Sequence, residues 1–199
     1  MKSTGADEKT PLIKTDPDEL LESKVGGERL FSGAVFDLEV DRVRLPNGRI
    51  ATRELIRHKG AVAIVPLFPD GTVAVEAQFR YAVGRIMIEI PAGKLDTPDE
   101  DRESAALREL REETGLIAGK LTCLGDYFGS PAIVDERITL YLATELSEGE
   151  RDLDDDEFLS VKRIPLDKLT DAVLAGEITD GKTQAAISRV MLMRQRGLI

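Results

Sequence analysis

Three glutamates near the middle of the chain have a spacing that suits metal chemistry. Glu109, Glu112 and Glu113 stand three and four residues apart, so on a helix they share one flank, beside an apolar stripe that includes Leu107 and Leu110. Like charges four residues apart destabilise a helix by a few tenths of a kcal/mol. The cluster therefore makes sense if a divalent cation neutralises it, and oxygen ligands suit Mg²⁺ or Mn²⁺. The alternative is the ordinary solvated face of a Glu-rich helix.

The residues around this cluster favour the metal interpretation because they match a specific pattern. The segment from Arg108 to Leu116 reads R-E-L-R-E-E-T-G-L and fits R-E-U-x-E-E-x-G-U, where U is a bulky apolar residue. It resembles the Nudix box, the signature of the Nudix hydrolases. The first half of the box departs from the pattern: six residues rather than five separate Gly93 from Glu100, and Asp99 occupies the expected place. The metal-binding half is intact, and the role of Glu100 stays open.

The resemblance covers roughly residues 30–195 and is to the ADP-ribose pyrophosphatase branch of the family. It is carried by the segments H-K-G-A-V-A-I-V-P-L, Q-F-R-Y-A-V-G, E-I-P-A-G-K-L-D and G-D-Y-F-G-S-P-A. The resemblance implies Mg²⁺-dependent hydrolysis of the diphosphate of ADP-ribose to AMP and ribose 5-phosphate. It also implies that the metal is held by Glu109, Glu112, Glu113 and the backbone carbonyl of Ala92.

The same resemblance implies several substrate-binding residues. Arg80 is expected near the substrate phosphates, where a planar guanidinium fits well. Arg53 and Glu54 are expected to approach the adenine, and Ser130 belongs to a loop over the terminal ribose. Glu136 lies at the mouth and either assists the site or is a charge at a strand edge. Ordinary surface charges are the alternative for the arginines and for Glu54.

The catalytic base of this branch lies on a late acidic loop, here the segment L-D-D-D-E that ends at Glu157. Glu157 is the first choice for the base, and Asp155 the second. Glu112 is expected to be oriented by Arg108, four residues before it, through an ion pair on the helix. Most of the acidic loop is expected to be solvated whichever residue is the base.

Residue patterns also predict the strands that position these groups. Period-two alternation around Pro46-Asn47-Gly48 predicts a hairpin of residues 34–45 and 49–57. The apolar run from Ala61 to Leu67 predicts a buried strand. Further strands are predicted over 73–78, 86–90, 119–129, 136–146 and 157–165.

Helices are predicted from caps and periodicity. The first is predicted to begin at Thr97, because Thr97 and Glu100 have capping-box spacing, and to end near Thr114 with Gly115 as its C-terminal cap. Two more are predicted at about 166–175 and 180–196.

These elements predict an α/β (α+β) fold with a small N-terminal antiparallel β addition, and the resemblance implies a Nudix-type α/β/α sandwich with a mixed sheet. Residues 1–20 are predicted to be a mobile tail, 21–57 a β-rich dimerisation region and 58–199 the Nudix hydrolase domain. A hairpin of this size is marginal by itself, so it must pack on the domain or on a second copy. The resembling branch pairs subunits through this region, which implies a homodimer.

Composition excludes several classes of function. Lys and Arg total 27 against 37 Asp and Glu, a net charge of −10, which argues against a nucleic-acid or anionic-membrane binder. No apolar run approaches the ~20 residues of a transmembrane helix, and the polar N-terminus does not resemble a secretory signal. A single cysteine cannot form an intrachain disulfide and favours a cytoplasmic location.

Three functions are compatible with these residues. The first is ADP-ribose hydrolysis, and the second is hydrolysis of another nucleoside diphosphate sugar or a nucleoside triphosphate. The third is a nucleotide-sugar sensor without turnover, which has no need to keep the glutamates of the cluster.

Overall fold

The structure is a computed structural model that describes residues 12–153 and 157–199. Its strands are β1 (Ser23–Ser32), β2 (Phe36–Arg44), β3 (Ile50–His58), β4 (Ala61–Pro66), β5 (Thr72–Arg80), β6 (Arg85–Glu89), β7 (Ala92–Lys94), β8 (Leu116–Tyr127), β9 (Ile138–Glu148) and β10 (Leu159–Pro165). Its helices are α1 (Arg102–Thr114), α2 (Leu166–Leu174) and α3 (Gly181–Gln195). Residues 1–11 of the predicted tail, and Asp155, lie outside the described residues. None of the helices in the described residues has the length and apolar character to span a membrane.

Two sheets form the centre of the domain. The first has the strand order β7-β4-β9-β8 and is mixed, because β4 and β9 run parallel while the other neighbours run antiparallel. The second is antiparallel, with the order β10-β5-β6. Every residue of β4 is buried, as the apolar run predicts.

Alternation along β4 divides the core into two layers. Ala61, Ala63 and Val65 pack with the apolar faces of α2 and α3, whereas Val62 and Ile64 pack with those of α1 and β8. Successive side chains of a strand point to opposite faces, so β4 is covered on both sides by helices. The predicted α/β/α sandwich with a mixed sheet is therefore confirmed.

The N-terminal strands form a separate antiparallel sheet in the order β1-β2-β3. The predicted turn joins β2 to β3, with Gly48 at φ 81° and the Asn47 side chain accepting a hydrogen bond from Arg49 N at 3.1 Å. β3 is tied to the domain by a hydrogen bond of 2.7 Å from Ile56 N to Ile133 O. The strand at the other edge of this sheet, β1, is exposed at Leu30 and Phe31.

Helix α1 begins later than the sequence predicts. The prediction of a start at Thr97 is wrong, because the N-cap is Asp101, whose carboxylate accepts from Ser104 N at 2.8 Å. The Glu100 carboxylate accepts instead from Asp96 N at 2.7 Å and so holds the loop before the helix. The C-terminal prediction is confirmed, with Gly115 in the left-handed conformation at φ 73°.

The predicted apolar stripe of α1 is only partly correct. Leu110 is fully buried, together with Ala105 and Ala106. Leu107 is 42% exposed and so does not belong to the stripe. The buried face is therefore rotated toward Ala105 and toward the glutamates, which brings Glu109 and Glu113 into the interior.

Candidate functional site

A cleft of about 920 Å³ lies where the two central sheets, α1 and the first turn of α3 meet. Five elements supply its polar walls: the strands β5 and β6 at their ends, the short strand β7, helix α1, and the start of α3. The segment before β10 contributes Asp152 and Glu157. A cleft of this size is sufficient for a small ligand.

Glu109 and Glu113 form the floor of this cleft. They are only 9% and 4% exposed, although each carries a carboxylate. The Oε2 atom of Glu113 accepts a hydrogen bond of 2.9 Å from Ala92 N, which links α1 to β7. Beside it, a Cβ atom on Gly93 would overlap the carboxylate of Glu109. The glycine is therefore needed so that the backbone of β7 can lie against the α1 carboxylates.

Arg108 holds the glutamates from the solvent side. Its Nη1 atom donates to Oε1 of Glu109 at 2.8 Å and to Oε2 of Glu112 at 3.0 Å. Its Nη2 atom lies 3.3 Å from Oε1 of Glu100. The expected pair between Arg108 and Glu112 is present, and the same guanidinium also fixes Glu109. Glu100 contacts this arginine from the loop before the helix.

The electrostatics of the floor oppose ionisation. Burial raises the pKa of Glu109 to about 7, despite the opposing charge of Arg108. Burial, and then the charges of Glu76 and Glu109, raise the pKa of Glu113 far above its usual range. Carboxylates that repel one another in a buried place are stabilised by a cation.

A divalent cation fits these donors by their chemistry. Among residues 12–153 and 157–199, no three His, Cys, Asp or Glu side chains are already grouped as a metal cage, and Arg108 and Ala92 N engage the carboxylates. The buried, mutually repelling oxygens of Glu109 and Glu113 nevertheless suit a hard cation, with Glu112 beside them at the edge of the cleft. Ala92, the first residue of β7, also lines the cleft.

Glu76 is a carboxylate that sequence analysis missed. It lies in the middle of β5 directly opposite Glu89 of β6, and it is 4% exposed. Its Oε1 atom has no hydrogen-bond donor among the described residues. Burial raises the pKa of Glu76 well above its usual range, and the charge of Arg151 opposes the rise. One sequence signal could have identified Glu76: it is the single charged residue in the otherwise apolar segment V-A-V-E-A.

A second group of charges lines the cleft opposite α1. Arg80 donates to Glu89 through Nε at 2.7 Å and Nη2 at 2.8 Å. Lys182, the second residue of α3, donates to the same Glu89 and to Asp180. Although burial alone would raise it, the contacts with Arg80 and Lys182 lower the pKa of Glu89 to about 2. Glu89, Asp180 and Lys182 were also missed, because strand and cap positions give no catalytic signal.

The acidic segment before β10 is attached to the end of α1. Arg151 donates through Nε to Glu113 O at 2.5 Å, and Asp152 N donates to Glu112 O at 3.1 Å. Glu157 lines the cleft, and its charge contributes to the raised pKa values of Glu109 and Glu113. The predicted alternative base, Asp155, lies outside the described residues.

The remaining predicted site residues fall into two groups. Glu136 lines the cleft, where its carboxylate lies 3.4 Å from Nδ1 of His58. Arg53, Glu54 and Ser130 are not among the described residues of this chain that line the cleft. Arg53 instead pairs with Glu22 in the N-terminal sheet, and the backbone carbonyl of Ser130 closes a turn.

Comparison with known proteins gives consistent similarities. The NUDIX domain family matches residues 57–185. An ADP-ribose pyrophosphatase of Bacillus subtilis (strain 168) is 43% identical over 175 residues, which cover 87% of this chain and 94% of that protein. A methanol dehydrogenase activator of Bacillus methanolicus is 39% identical over 173 residues, covering 86% and 93%. A crystal structure of an ADP compounds hydrolase has a similar fold, with a TM-score of 0.77 at 22% identity, covering 90% of this chain and 98% of that one.

Proposed function

The chain belongs to the Nudix hydrolase family, and we propose that it hydrolyses the diphosphate of ADP-ribose to AMP and ribose 5-phosphate with Mg²⁺ as its metal. The observation that carries the proposal is the pair of buried carboxylates, Glu109 and Glu113, packed against the backbone of β7 in a cleft. The 43% identical relative named ADP-ribose pyrophosphatase supports the substrate.

Members of this family generally depend on a divalent metal ion. We assign its ligands to Glu109, Glu112, Glu113 and the carbonyl of Ala92. When bound, the cation supplies neutralisation of the diphosphate oxygens and a lowered pKa for a coordinated water. Mg²⁺ suits such oxygen ligands and commonly also contacts substrate phosphates, and Mn²⁺ is expected to replace it.

The chain's own residues then perform three tasks. Arg80 donates hydrogen bonds to the phosphate oxygens from the wall opposite α1. Glu157, which lines the cleft within electrostatic range of the α1 carboxylates, accepts the proton of the attacking water as general base. Arg108 holds Glu112 and Glu109 in place through its shared Nη1.

The substrate assignment is tested with a panel of compounds. Purified protein with Mg²⁺ is incubated with ADP-ribose, other nucleoside diphosphate sugars and nucleoside triphosphates, and the products are separated by chromatography. ADP-ribose should have the highest kcat/KM and should yield AMP and ribose 5-phosphate in equal amounts. A higher kcat/KM for a nucleoside diphosphate sugar or a triphosphate would move the function to the second candidate. Binding without turnover would indicate a sensor.

We also propose that the active form is a cytoplasmic homodimer that pairs through residues 21–57. The N-terminal sheet exposes apolar side chains, among them Leu30 at 56% and Phe31 at 50%, and such surfaces are typical of interfaces. A partner subunit's sheet is also the route by which Arg53 and Glu54 would reach an adenine pocket. The lone cysteine is compatible with a reducing compartment.

A further inference from the structure

We propose that Lys182 is a positioning residue: acting through Glu89, it fixes the direction in which Arg80 presents its guanidinium to the substrate phosphates. The inference rests on the proposed function, in which Arg80 contacts the diphosphate. It adds a residue of α3, about one hundred positions along the chain from Arg80, to the substrate-binding machinery.

One edge of the Arg80 guanidinium is fully engaged by Glu89. The Nε and Nη2 atoms of the arginine donate to the two different carboxylate oxygens at 2.7 and 2.8 Å, a two-point geometry that fixes the plane of the group. The Arg80 side chain is still 41% exposed and lines the cleft. The other edge, with the Nη1 hydrogens, is therefore available to a phosphate, and its direction depends on where Glu89 is held.

Glu89 is held from the other side by Lys182. The Lys182 side chain is 11% exposed, and its Nζ atom donates to Oε2 of Glu89 and, at 3.1 Å, to Oδ2 of Asp180. Asp180 is the N-cap of α3 and also accepts from Thr183 N at 2.9 Å. The hydroxyl of Thr183 in turn accepts from Ile90 N at 2.9 Å, next to Glu89. The start of α3 is thus connected to Arg80 by successive hydrogen bonds.

Lys182 also balances the charge of the group that holds Arg80. Arg80 and Lys182 carry two positive charges, and Glu89 and Asp180 carry two negative charges, so the group is neutral. Without Lys182 it has an excess negative charge beside the cleft, and Glu89 is held only by the arginine. Both changes weaken the presentation of Arg80 to a diphosphate.

A double-mutant cycle on the full-length enzyme tests this inference. KM and kcat for ADP-ribose are measured at saturating Mg²⁺ for Arg80→Ala, Lys182→Met and the double variant. Each single substitution should raise KM roughly tenfold, as expected when a hydrogen bond to a charged group is lost, with a much smaller change in kcat. If Lys182 acts through Arg80, the double variant should be no worse than Arg80→Ala. Lys182→Arg should retain most of the affinity, and Lys168→Met, at an exposed position of α2, should behave like the wild type.

The outcomes separate the inference from the proposed function. If Arg80→Ala leaves KM unchanged, the proposed phosphate contact of Arg80 fails and the inference fails with it. If Arg80→Ala raises KM while Lys182→Met does not, the phosphate contact of Arg80 stands and the positioning role of Lys182 is overturned. The same conclusion follows if Lys182→Met raises KM equally in the wild type and in the Arg80→Ala variant. Thermal melting identifies a Lys182→Met protein that does not fold, and Lys182→Ala, which also removes the donor to Glu89, then replaces it in the same cycle with the same expected results.

Discussion

At the scale of single residues, the distinctive feature of this cleft is its buried carboxylates. Glu76, Glu109 and Glu113 are each no more than 9% exposed, and burial raises the pKa of every one of them. Ionised carboxylates are rarely buried without a partner, since their desolvation is costly. Glu109 and Glu113 line the cleft, and a cation binds their ionised forms, so cation binding there is linked to proton release.

The base is predicted to be Glu157, and a single amide substitution tests it. Glu157→Gln should lower kcat for ADP-ribose by about 10²–10⁴-fold, the usual contribution of general acid–base catalysis, with little change in KM. Steady-state kinetics of Glu157→Gln is compared with that of Glu150→Gln, an exposed glutamate of the same segment, which should be fully active. A larger loss in Asp155→Asn would move the base two residues, and full activity in both would leave Glu136 as the candidate.

What the sequence predicts at this scale depends on how local the signal is. Glu109, Glu112 and Glu113 are recognisable because their spacing along one helix carries the chemistry. Glu89 and Lys182 meet although 93 positions separate them, so neighbouring residues contain no sign of their contact. Sequence patterns identify such pairs only after the fold has been established.

At the scale of elements, the contact between β7 and α1 determines where the carboxylates lie. Gly93→Ala should displace the Glu109 carboxylate, because the added Cβ would overlap it. A displacement of this kind should lower kcat/KM about 100-fold, whereas the melting temperature should change little, since the end of a flexible side chain can move. Kinetics and thermal melting of the variant test this, and near-normal activity would show that Glu109 does not need its present position.

The start of α1 and the pairing of the strands could not be predicted from the sequence alone. Thr97 and Asp101 are both suitable N-caps by residue type, and the choice between them depends on where the loop from β7 meets the helix. Glu100 is held by Asp96 N and Arg108, so it belongs to that loop. The parallel pairing of β4 with β9 joins strands far apart in sequence, and strand periodicity contains no information on such partners.

At the scale of the whole molecule, the pKa shifts predict an unusual dependence of stability on pH. Between about pH 4.5 and 7 the unfolded chain loses the Glu109 proton that the folded protein retains, so the metal-free protein should become less stable as pH rises. Glu76 and Glu113 act in the same direction. Glu89 acts oppositely, because its pKa of about 2 makes its contribution fall away below about pH 4.5.

Thermal melting with a chelator from about pH 4 to 9 measures this prediction. The melting temperature should be highest near pH 5 and should fall by several degrees toward neutral pH. Saturating Mg²⁺ should raise the melting temperature more at pH 8 than at pH 5, because the cation binds the ionised carboxylates. Glu109→Gln should reduce the slope, and a metal-free protein that becomes steadily more stable from pH 5 to 8 would contradict the account.

The homodimer is a second prediction for the whole molecule. Leu30→Glu places a charge on the exposed surface of the N-terminal sheet, so it should dissociate the dimer and lower activity without unfolding the subunit. Leu174→Glu, at a residue of α2 that is 81% exposed, is the matched control and should stay dimeric. Light scattering at the enzyme concentrations used for kinetics measures the oligomeric state of each protein. A wild-type monomer with full ADP-ribose hydrolysis would exclude the proposal.

The central claim is that the α1 carboxylates form the metal site for ADP-ribose hydrolysis, and Glu113→Gln tests it most directly. The rate of AMP release is measured across a Mg²⁺ titration, alongside Mn²⁺ binding by calorimetry. Glutamine can still accept from Ala92 N, so the fold should persist, and loss of repulsion from Glu76 and Glu109 should leave stability equal or higher. We expect activity to fall by orders of magnitude at every Mg²⁺ concentration, with weakened Mn²⁺ binding, while Glu103→Gln on the exposed face of α1 stays normal. Near-normal AMP release by Glu113→Gln at saturating Mg²⁺ would contradict the claim.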